Sequence, residues 1–332
     1  MSDFGIDLGT ANTVVYDGAD EVVFDEPSVL LWRGTNGRRG AGIVAVGQEA
    51  ADLLGRAPAG VTAKRPLQDG VIIDLEMARA YLRAVARRAV PNHWHRMHGR
   101  VAIGVPSGAT DLERRALLQA ADEAGIRKAT AIDEPIAGAL GCGIDPMERR
   151  VHMVVDVGGG TAEATVFCYG GVLTSRSCRI AGDEMTVAIF RYLREHHQLV
   201  VGDQTAEAIK MKIGSETEPT LTVPGLDAGT GHAQLATVRA AEIVDVLRPT
   251  VDTIIQTLAS CLHDLPPEAM ADIAVDGVVV FGGASLTRGF DQLLEQAFGF
   301  PVKVAENPLT CVAEGAARCL RTPGVVKAYG WH

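Results

Sequence analysis

Paired cysteines, long apolar runs and low-complexity tracts are all missing from this sequence, and each absence removes a class of protein. The six cysteines, Cys142, Cys168, Cys178, Cys261, Cys311 and Cys319, are spread singly. With no CxxC pair, neither a zinc site nor a dithiol redox motif can be read from them, and six buried thiols are expected. Apolar stretches such as residues 275–281 break after a few positions, far short of the roughly 20 that span a bilayer. The opening Met1-Ser2-Asp3-Phe4-Gly5 shows neither the basic nor the apolar region of a secretory signal, so a cytoplasmic location is expected. The 37 Gly and 15 Pro are scattered without a short repeat, which argues against collagen-like chains. A GxxxxGK[ST] loop is also absent, and no GxGxxG follows the first strand-like run. Walker ATPases and Rossmann dehydrogenases are therefore disfavoured.

What is present is enough apolar material for two cores. The chain has 332 residues, 47% hydrophobic, 22% charged and 5% aromatic. Its 31 basic and 41 acidic residues leave a net charge of −10. A field of that sign repels polyanions, so nucleic acid is not an expected partner.

Residues 4–7 and 13–16 predict a hairpin around Leu8-Gly9-Thr10-Ala11-Asn12. Residues 151–157 and 162–167 predict a second around Gly158-Gly159-Gly160-Thr161, a weak internal duplication. Strand-like runs at 28–32 and 43–46 flank a polar loop at 33–40. Residues 76–89 read as a helix with Met77, Ala80, Tyr81, Ala84 and Val85 on one face. A buried-type strand at 100–105 stops at Pro106, and an alanine-rich helix at 111–124 stops at Gly125. Leu247, Val251, Ile254, Ile255, Leu258 and Leu262 follow helical spacing, and a strand at 277–281 precedes a helix at 288–297. The expected class is α/β, built from two related halves.

The two predicted hairpin turns share one chemistry. Asp7 and Asp156 end their strands, Gly9 and Gly158, Gly159 and Gly160 let backbone N–H groups approach phosphate oxygens, and Thr10, Asn12 and Thr161 add donors beside Ala11. Either turn alone reads equally as a structural hairpin. Facing each other, the two would grip a polyphosphate, with Asp7 and Asp156 holding Mg²⁺ through water. A third turn, Gly282-Gly283-Ala284-Ser285, lets a flat ring or ribose lie against backbone.

Three glycine turns in this order resemble the phosphate-1, phosphate-2 and adenosine motifs of the actin, DnaK-chaperone and sugar-kinase superfamily. Within it the chain resembles the bacterial actin MreB family along nearly its whole length. The strings that carry the likeness are Ile6-Asp7-Leu8-Gly9-Thr10-Ala11-Asn12-Thr13, Asp25-Glu26-Pro27-Ser28-Val29, Arg65-Pro66-Leu67-Gln68-Asp69-Gly70 and Asp133-Glu134-Pro135-Ile136-Ala137-Gly138. Ala206-Glu207-Ala208-Ile209-Lys210 and Asn307-Pro308-Leu309-Thr310 continue it.

The resemblance implies an actin-like ATPase fold, each half a ribonuclease-H-like core with a small subdomain, around a cleft for ATP (or GTP) and Mg²⁺. Domain I would take residues 1–135 and 313–332, with a small subdomain at about 33–74. Domain II would take 136–312, with one at about 182–245. Glu134 matches the acidic residue that orients the water attacking the γ-phosphate, although a Glu before Pro also suits an ordinary helix start. Thr161 matches a threonine that helps hold that water. Glu207 and Lys210 match residues beside adenine and ribose, although such a pair also reads as a solvated i,i+3 contact. Asp74 and Asp183 lie in family-like strings without an assigned role. Two departures stand out: Ala162 replaces a second threonine, removing a hydroxyl near the phosphates, and Ala284 replaces a third glycine, adding a methyl near the nucleotide.

Arg83, Arg87 and Arg88 lead to a loop carrying Trp94 and Met97, the one basic-aromatic cluster in an acidic chain. The family has an apolar membrane-insertion loop at this point, so anionic lipid is an expected partner; a partly buried Trp or a plain solvated loop would look the same. The N-terminal amphipathic anchor of some family members is not read here, so any attachment is expected to be weak and multiplied by assembly. The resemblance implies an ATP hydrolase that self-assembles into membrane-associated filaments and, with morphogenesis proteins, organises cell shape and wall synthesis. Other readings are an actin-like filament that positions an organelle or DNA, and a small-molecule phosphotransferase, which would need a substrate base and larger inserts. A DnaK-like chaperone would carry a β-rich domain beyond about residue 330.

Overall fold

The computed structural model describes residues 3–19, 21–34, 42–91, 99–215 and 219–331. Two five-stranded sheets organise it, and both have the same connectivity. In the first, Asp3–Leu8 pairs antiparallel with Asn12–Asp17, which pairs antiparallel with Val22–Pro27. On its other side Asp3–Leu8 runs parallel to Arg100–Val105, itself parallel to Ala129–Asp133. In the second, His152–Val157 is central, with Ala162–Cys168 and Gly171–Cys178 on the antiparallel side and Val278–Phe281 and Val302–Val304 on the parallel side. The duplication seen weakly in the turns is thus a duplication of topology.

The chemistry of each connection explains its form. Antiparallel neighbours need only a tight turn, whereas parallel neighbours need a crossover. Helix Asp111–Ala124 makes one such crossover, between Arg100–Val105 and Ala129–Asp133. It starts in a capping box, with the Thr110 side chain accepting from Glu113 N and Glu113 returning to Thr110 N. Asp74 caps helix Leu75–Ala89, accepting from Met77 N at 3.0 Å, which gives this family-like residue a structural role. Smaller three-stranded sheets stand beside each half: Gly42–Val46, Leu30–Arg33 and Val61–Lys64 in one, Leu199–Val200, Thr220–Asp227 and Ala233–Arg239 in the other.

The expectation of six buried thiols needs correction. Cys261, Cys311 and Cys319 are buried, but Cys142, Cys168 and Cys178 are only half-buried. Cys142 caps the end of a helix and the other two close strands, where the chain turns towards solvent. The Trp94 loop lies at 92–98, outside the described residues. Of the three arginines leading to it, Arg88 pairs with Glu26 at 2.6 Å and Arg83 binds the Glu123 carbonyl, so these two are engaged within the fold. Among the described residues no helix is long and apolar enough to cross a membrane.

The two halves meet at a pair of crossing helices, Glu134–Gly141 and Cys311–Cys319. Small residues let their backbones touch. A Cβ on Gly315 would overlap the Ala137 carbonyl oxygen, and one on Gly141 would overlap that of Cys311. Strand Asp3–Leu8 comes equally close, since a Cβ on Gly5 would overlap the Ala313 carbonyl oxygen. Around this crossing lies a shared core of Ile132, Ile136, Val154, Phe167, Phe281 and Val312, drawn from both sheets. Gly315→Ala would gain helix propensity of about 1 kcal/mol but must force the helices apart. A net loss of about 2–4 kcal/mol is expected, read as a lower denaturation midpoint at unchanged slope.

Candidate functional site

The two glycine turns face and touch each other. A Cβ on Gly159 would lie 3.0 Å from Ala11 Cβ, and one on Gly160 would lie 2.8 Å from Thr10 Oγ1 and 2.8 Å from Asp69 Cα. The backbone N–H groups of Thr10, Ala11, Gly159 and Gly160 make no hydrogen bond to any described residue. Such converging free N–H groups form an anion-binding concavity.

The first turn is held from below by a buried polar chain. Tyr81 donates its hydroxyl to Thr13 Oγ1 at 3.0 Å, Thr13 Oγ1 meets Ser28 Oγ at 2.8 Å, and Ser28 Oγ donates to the Gly9 carbonyl at 2.6 Å. From the side, Gly70 N donates to Thr10 Oγ1 at 3.0 Å and Arg65 donates to the Thr10 carbonyl at 3.2 Å. In the second turn Gly158 N closes onto the Thr161 carbonyl at 2.9 Å, and Asp183 N donates to the Gly159 carbonyl at 2.7 Å. Asp183 also pairs with Arg65 across the cleft at 3.6 Å. Thr161 sits against the Asp69–Gly70 turn of the opposite half: a Cβ on Gly70 would come within 3.5 Å of its methyl.

Three carboxylates collect beneath these turns. Asp7 and Asp156 occupy equivalent positions in the two central strands, each one residue before the strand end. Glu134 is the first residue of helix Glu134–Gly141 with Pro135 second, so it is a helix start, and it is buried. Gly104 makes space for it, since a Cβ there would lie 3.2 Å from Glu134 Cγ. Burial and the nearby Asp25 carboxylate push Asp7 up to about 7. Burial, then repulsion from Asp7 and Asp156, raises Glu134 well above the usual carboxylate range. Asp156 is raised by burial and by Asp7. Gly282 touches this group from the third turn: its φ is 87°, and a Cβ on it would lie 2.5 Å from Asp156 Oδ1. No other residue type fits there without strain.

The donor set fits a hydrated divalent cation. None of the three carboxylates is in a salt bridge among the described residues, so their mutual repulsion is uncompensated. No three described His, Cys, Asp or Glu side chains converge closely enough to ligate one ion directly. Mg²⁺ dehydrates reluctantly and is held through water beside phosphates, so Asp7 and Asp156 suit it in that manner.

Glu207 and Lys210 make the i,i+3 contact that the sequence offers as one reading. Lys210 is saturated by the Gly182 carbonyl at 2.9 Å, Thr186 Oγ1 at 3.0 Å and Glu207 at 2.8 Å. The i,i+3 contact is therefore present, and it ties helix Asp203–Ser215 to the start of helix Gly182–His196 beside the second turn. Glu207 lines an open cleft of about 1630 Å³ with Asn12, Arg65 and Asp183, drawn from both halves. The two alanine departures need correction. Ala162 and Ala284 both pack into the apolar core of the second half, so neither methyl projects towards the turns.

Several supporting residues were not foreseen: Ser28, Tyr81 and Thr13 under the first turn, and Gly104 behind Glu134. Their signal was present as polar or small residues among apolar neighbours, where an unpaired buried polar group is costly.

Two topologically equivalent halves flanking a cleft, with paired glycine turns and strand-end aspartates, define the actin-like fold class. The model of the MreB/Mbl protein family matches residues 1–327. The chain belongs to that family. It is 39% identical over 323 residues to cell shape-determining protein MreB of Escherichia coli (strain K12), covering 96% of this chain and 93% of that protein. It is 36% identical over 318 residues to cell shape-determining protein Mbl of Bacillus subtilis (strain 168), covering 94% of each. The crystal structure of MreB5 of Spiroplasma citri bound to AMPPNP superposes with a TM-score of 0.89 at 32% identity, covering 97% of this chain and 96% of that one. The MamK double helical filament shares the fold, with a TM-score of 0.77 at 23% identity, covering 96% of this chain and 98% of that one.

The carboxylate group predicts a pH dependence. Asp7 holds its proton to about 7 when folded, against 3.8 when unfolded, so the folded chain binds more protons and loses stability as pH rises through that window. The cation-free protein should melt lower at about pH 8 than at about pH 5.5, and Mg²⁺ should raise its melting temperature most at the higher pH. Asp7→Asn is expected to flatten that difference in thermal melts.

Proposed function

We propose that this chain is an ATP-dependent filament protein that organises cell shape. The observation that carries the reading is the pair of facing turns with free N–H groups above three uncompensated carboxylates. In this reading Gly9, Thr10, Ala11 and Asn12 of one half and Gly158, Gly159, Gly160 and Thr161 of the other cradle the phosphates of ATP or GTP. Bound through water to Asp7 and Asp156, Mg²⁺ would neutralise charge on the transferring phosphoryl group. Glu134 orients the attacking water and Thr161 helps to hold it, a task of positioning rather than covalent chemistry. Glu207 and Lys210 stand on the adenine and ribose side, and the backbone of Gly282, Gly283 and Ala284 supports the adenosine.

Two-domain organisation suits this role, with residues 1–135 and 313–332 as domain I and 136–312 as domain II. The solved MreB5 relatives were crystallised with AMPPNP and with ADP, which supports a nucleotide in the cleft. Cell shape-determining relatives over nearly the whole chain support the cellular role. Filaments would form by a head-to-tail contact that does not close. Weak attachment to anionic lipid through the loop around Trp94, on the cytoplasmic side of the membrane, would bring them to the proteins of wall synthesis.

Phosphate release and sedimentation with ATP–Mg²⁺ test the reading together. The natural chain should hydrolyse ATP and form sedimentable polymer. Glu134→Ala should bind nucleotide within about threefold of the natural chain while phosphate release falls about 100-fold. Equal turnover in that variant would remove Glu134 from its role, and absence of polymer across salt and concentration would count against the filament.

A further inference from the structure

One buried carboxylate has no part in the roles above. Glu163 lies on strand Ala162–Cys168, directly opposite Asp156 in the strand pairing, and is 1% exposed. Its neighbours Ala162 and Ala164 pack into the core of the second half, so alternation turns Glu163 to the other face, towards the first half. There it accepts three hydrogen bonds, all from the loop that follows strand Arg100–Val105. Ser107 N and Ser107 Oγ donate to Oε2 at 3.0 and 3.1 Å, and Gly108 N donates to Oε1 at 3.3 Å. No basic side chain pairs with Glu163 among the described residues. Its buried carboxyl oxygens receive these hydrogen bonds only while the two halves are together.

The same loop is gripped from its own half. Arg114, 5% exposed, donates to the carbonyls of Ser107 at 3.2 Å and Ala109 at 3.3 Å. Its remaining arm pairs with Asp133 at 2.6 Å, the residue immediately before Glu134. An unbroken chain of charge-assisted contacts therefore runs from Glu163 through Ser107 and Arg114 to Asp133. One end stands beside Asp156, and the other carries the backbone of Glu134.

We infer that Glu163 is a positioning residue: by holding the 106–109 loop of the opposite half, it sets the placement of Glu134 relative to Asp156 and so makes hydrolysis depend on closure of the two halves. The inference rests on the proposed ATPase reading. Water orientation tolerates little displacement, so a carboxylate that touches neither water nor phosphate still governs the rate. Binding is governed elsewhere, because the free N–H groups of the two turns do not depend on Glu163.

Glu163→Gln tests this, since glutamine keeps the size but turns an NH₂ towards backbone N–H groups. With ATP–Mg²⁺ and the full chain, kcat for phosphate release is expected to fall about 10- to 100-fold, while affinity for a fluorescent ATP analogue stays within about threefold. Ser107→Ala, which removes only the hydroxyl contact, should lower kcat about threefold and add little on top of Glu163→Gln, because both act through one contact. Unchanged kcat in Glu163→Gln against an active natural chain overturns the inference alone. So does a fall in kcat, nucleotide affinity and melting temperature in step, the mark of a merely structural residue. A natural chain without turnover overturns the ATPase reading itself and this inference with it.

Discussion

The contact on which the rest of this structure depends is the backbone-to-backbone crossing of helices Glu134–Gly141 and Cys311–Cys319. Gly141 and Gly315 let the two approach until no Cβ fits between them, and Gly5 brings the first central strand against the same place. Interiors are close-packed and do not deform continuously, so this crossing sets how the two sheets face each other. Because Glu134 opens one of the helices, the crossing that joins the halves also places that residue near Asp7 and Asp156.

Upon that crossing the cleft gathers charge of one sign. Asp7 and Asp156 come from equivalent strands of the duplicated halves, and Glu134 comes from the connection between them. Burial holds each towards its protonated form, helped by Asp25 at Asp7, by Asp7 at Asp156, and by both aspartates at Glu134. A fold does not gain stability from such an arrangement, and a bound cation would relieve its repulsion. The polar supports have the opposite character. Tyr81, Thr13, Ser28 and the Gly9 carbonyl satisfy one another completely, as do Glu163 and the loop it holds, and such satisfied networks rigidify a turn.

Much of the fold was legible locally. The strand at 100–105 and the helix at 111–124 appear with the expected bounds, because Pro106, the Thr110 cap and Gly125 act within a few residues of themselves. The helix at 76–89 and both hairpins shift by only a residue or two. In the site, the two aspartate–glycine turns were readable from residue type and order, whereas Glu134 was singled out only by the family resemblance, since a Glu before Pro is equally an ordinary helix start. The directions of Ala162 and Ala284 were not: each was read as facing the nucleotide and each packs into core, since the face a side chain takes depends on what lies across the sheet. Lys210 shows the same limit, because its three acceptors come from two helices.

By itself the sequence determined the class of elements, the duplicated turns and the carboxylates that end their strands, all set by short-range chemistry of glycine, proline and capping residues. It also carried the family likeness, because motif order is a property of the chain. Only the tertiary structure decided that the two turns abut, that Asp7, Asp156 and Glu134 share one pocket of repulsion, and that Glu163 reaches across to Ser107 and Gly108, residues 56 and 55 positions away. Those are long-range juxtapositions, and they exist only once two separately formed sheets have been pressed together through a glycine-lined helix crossing.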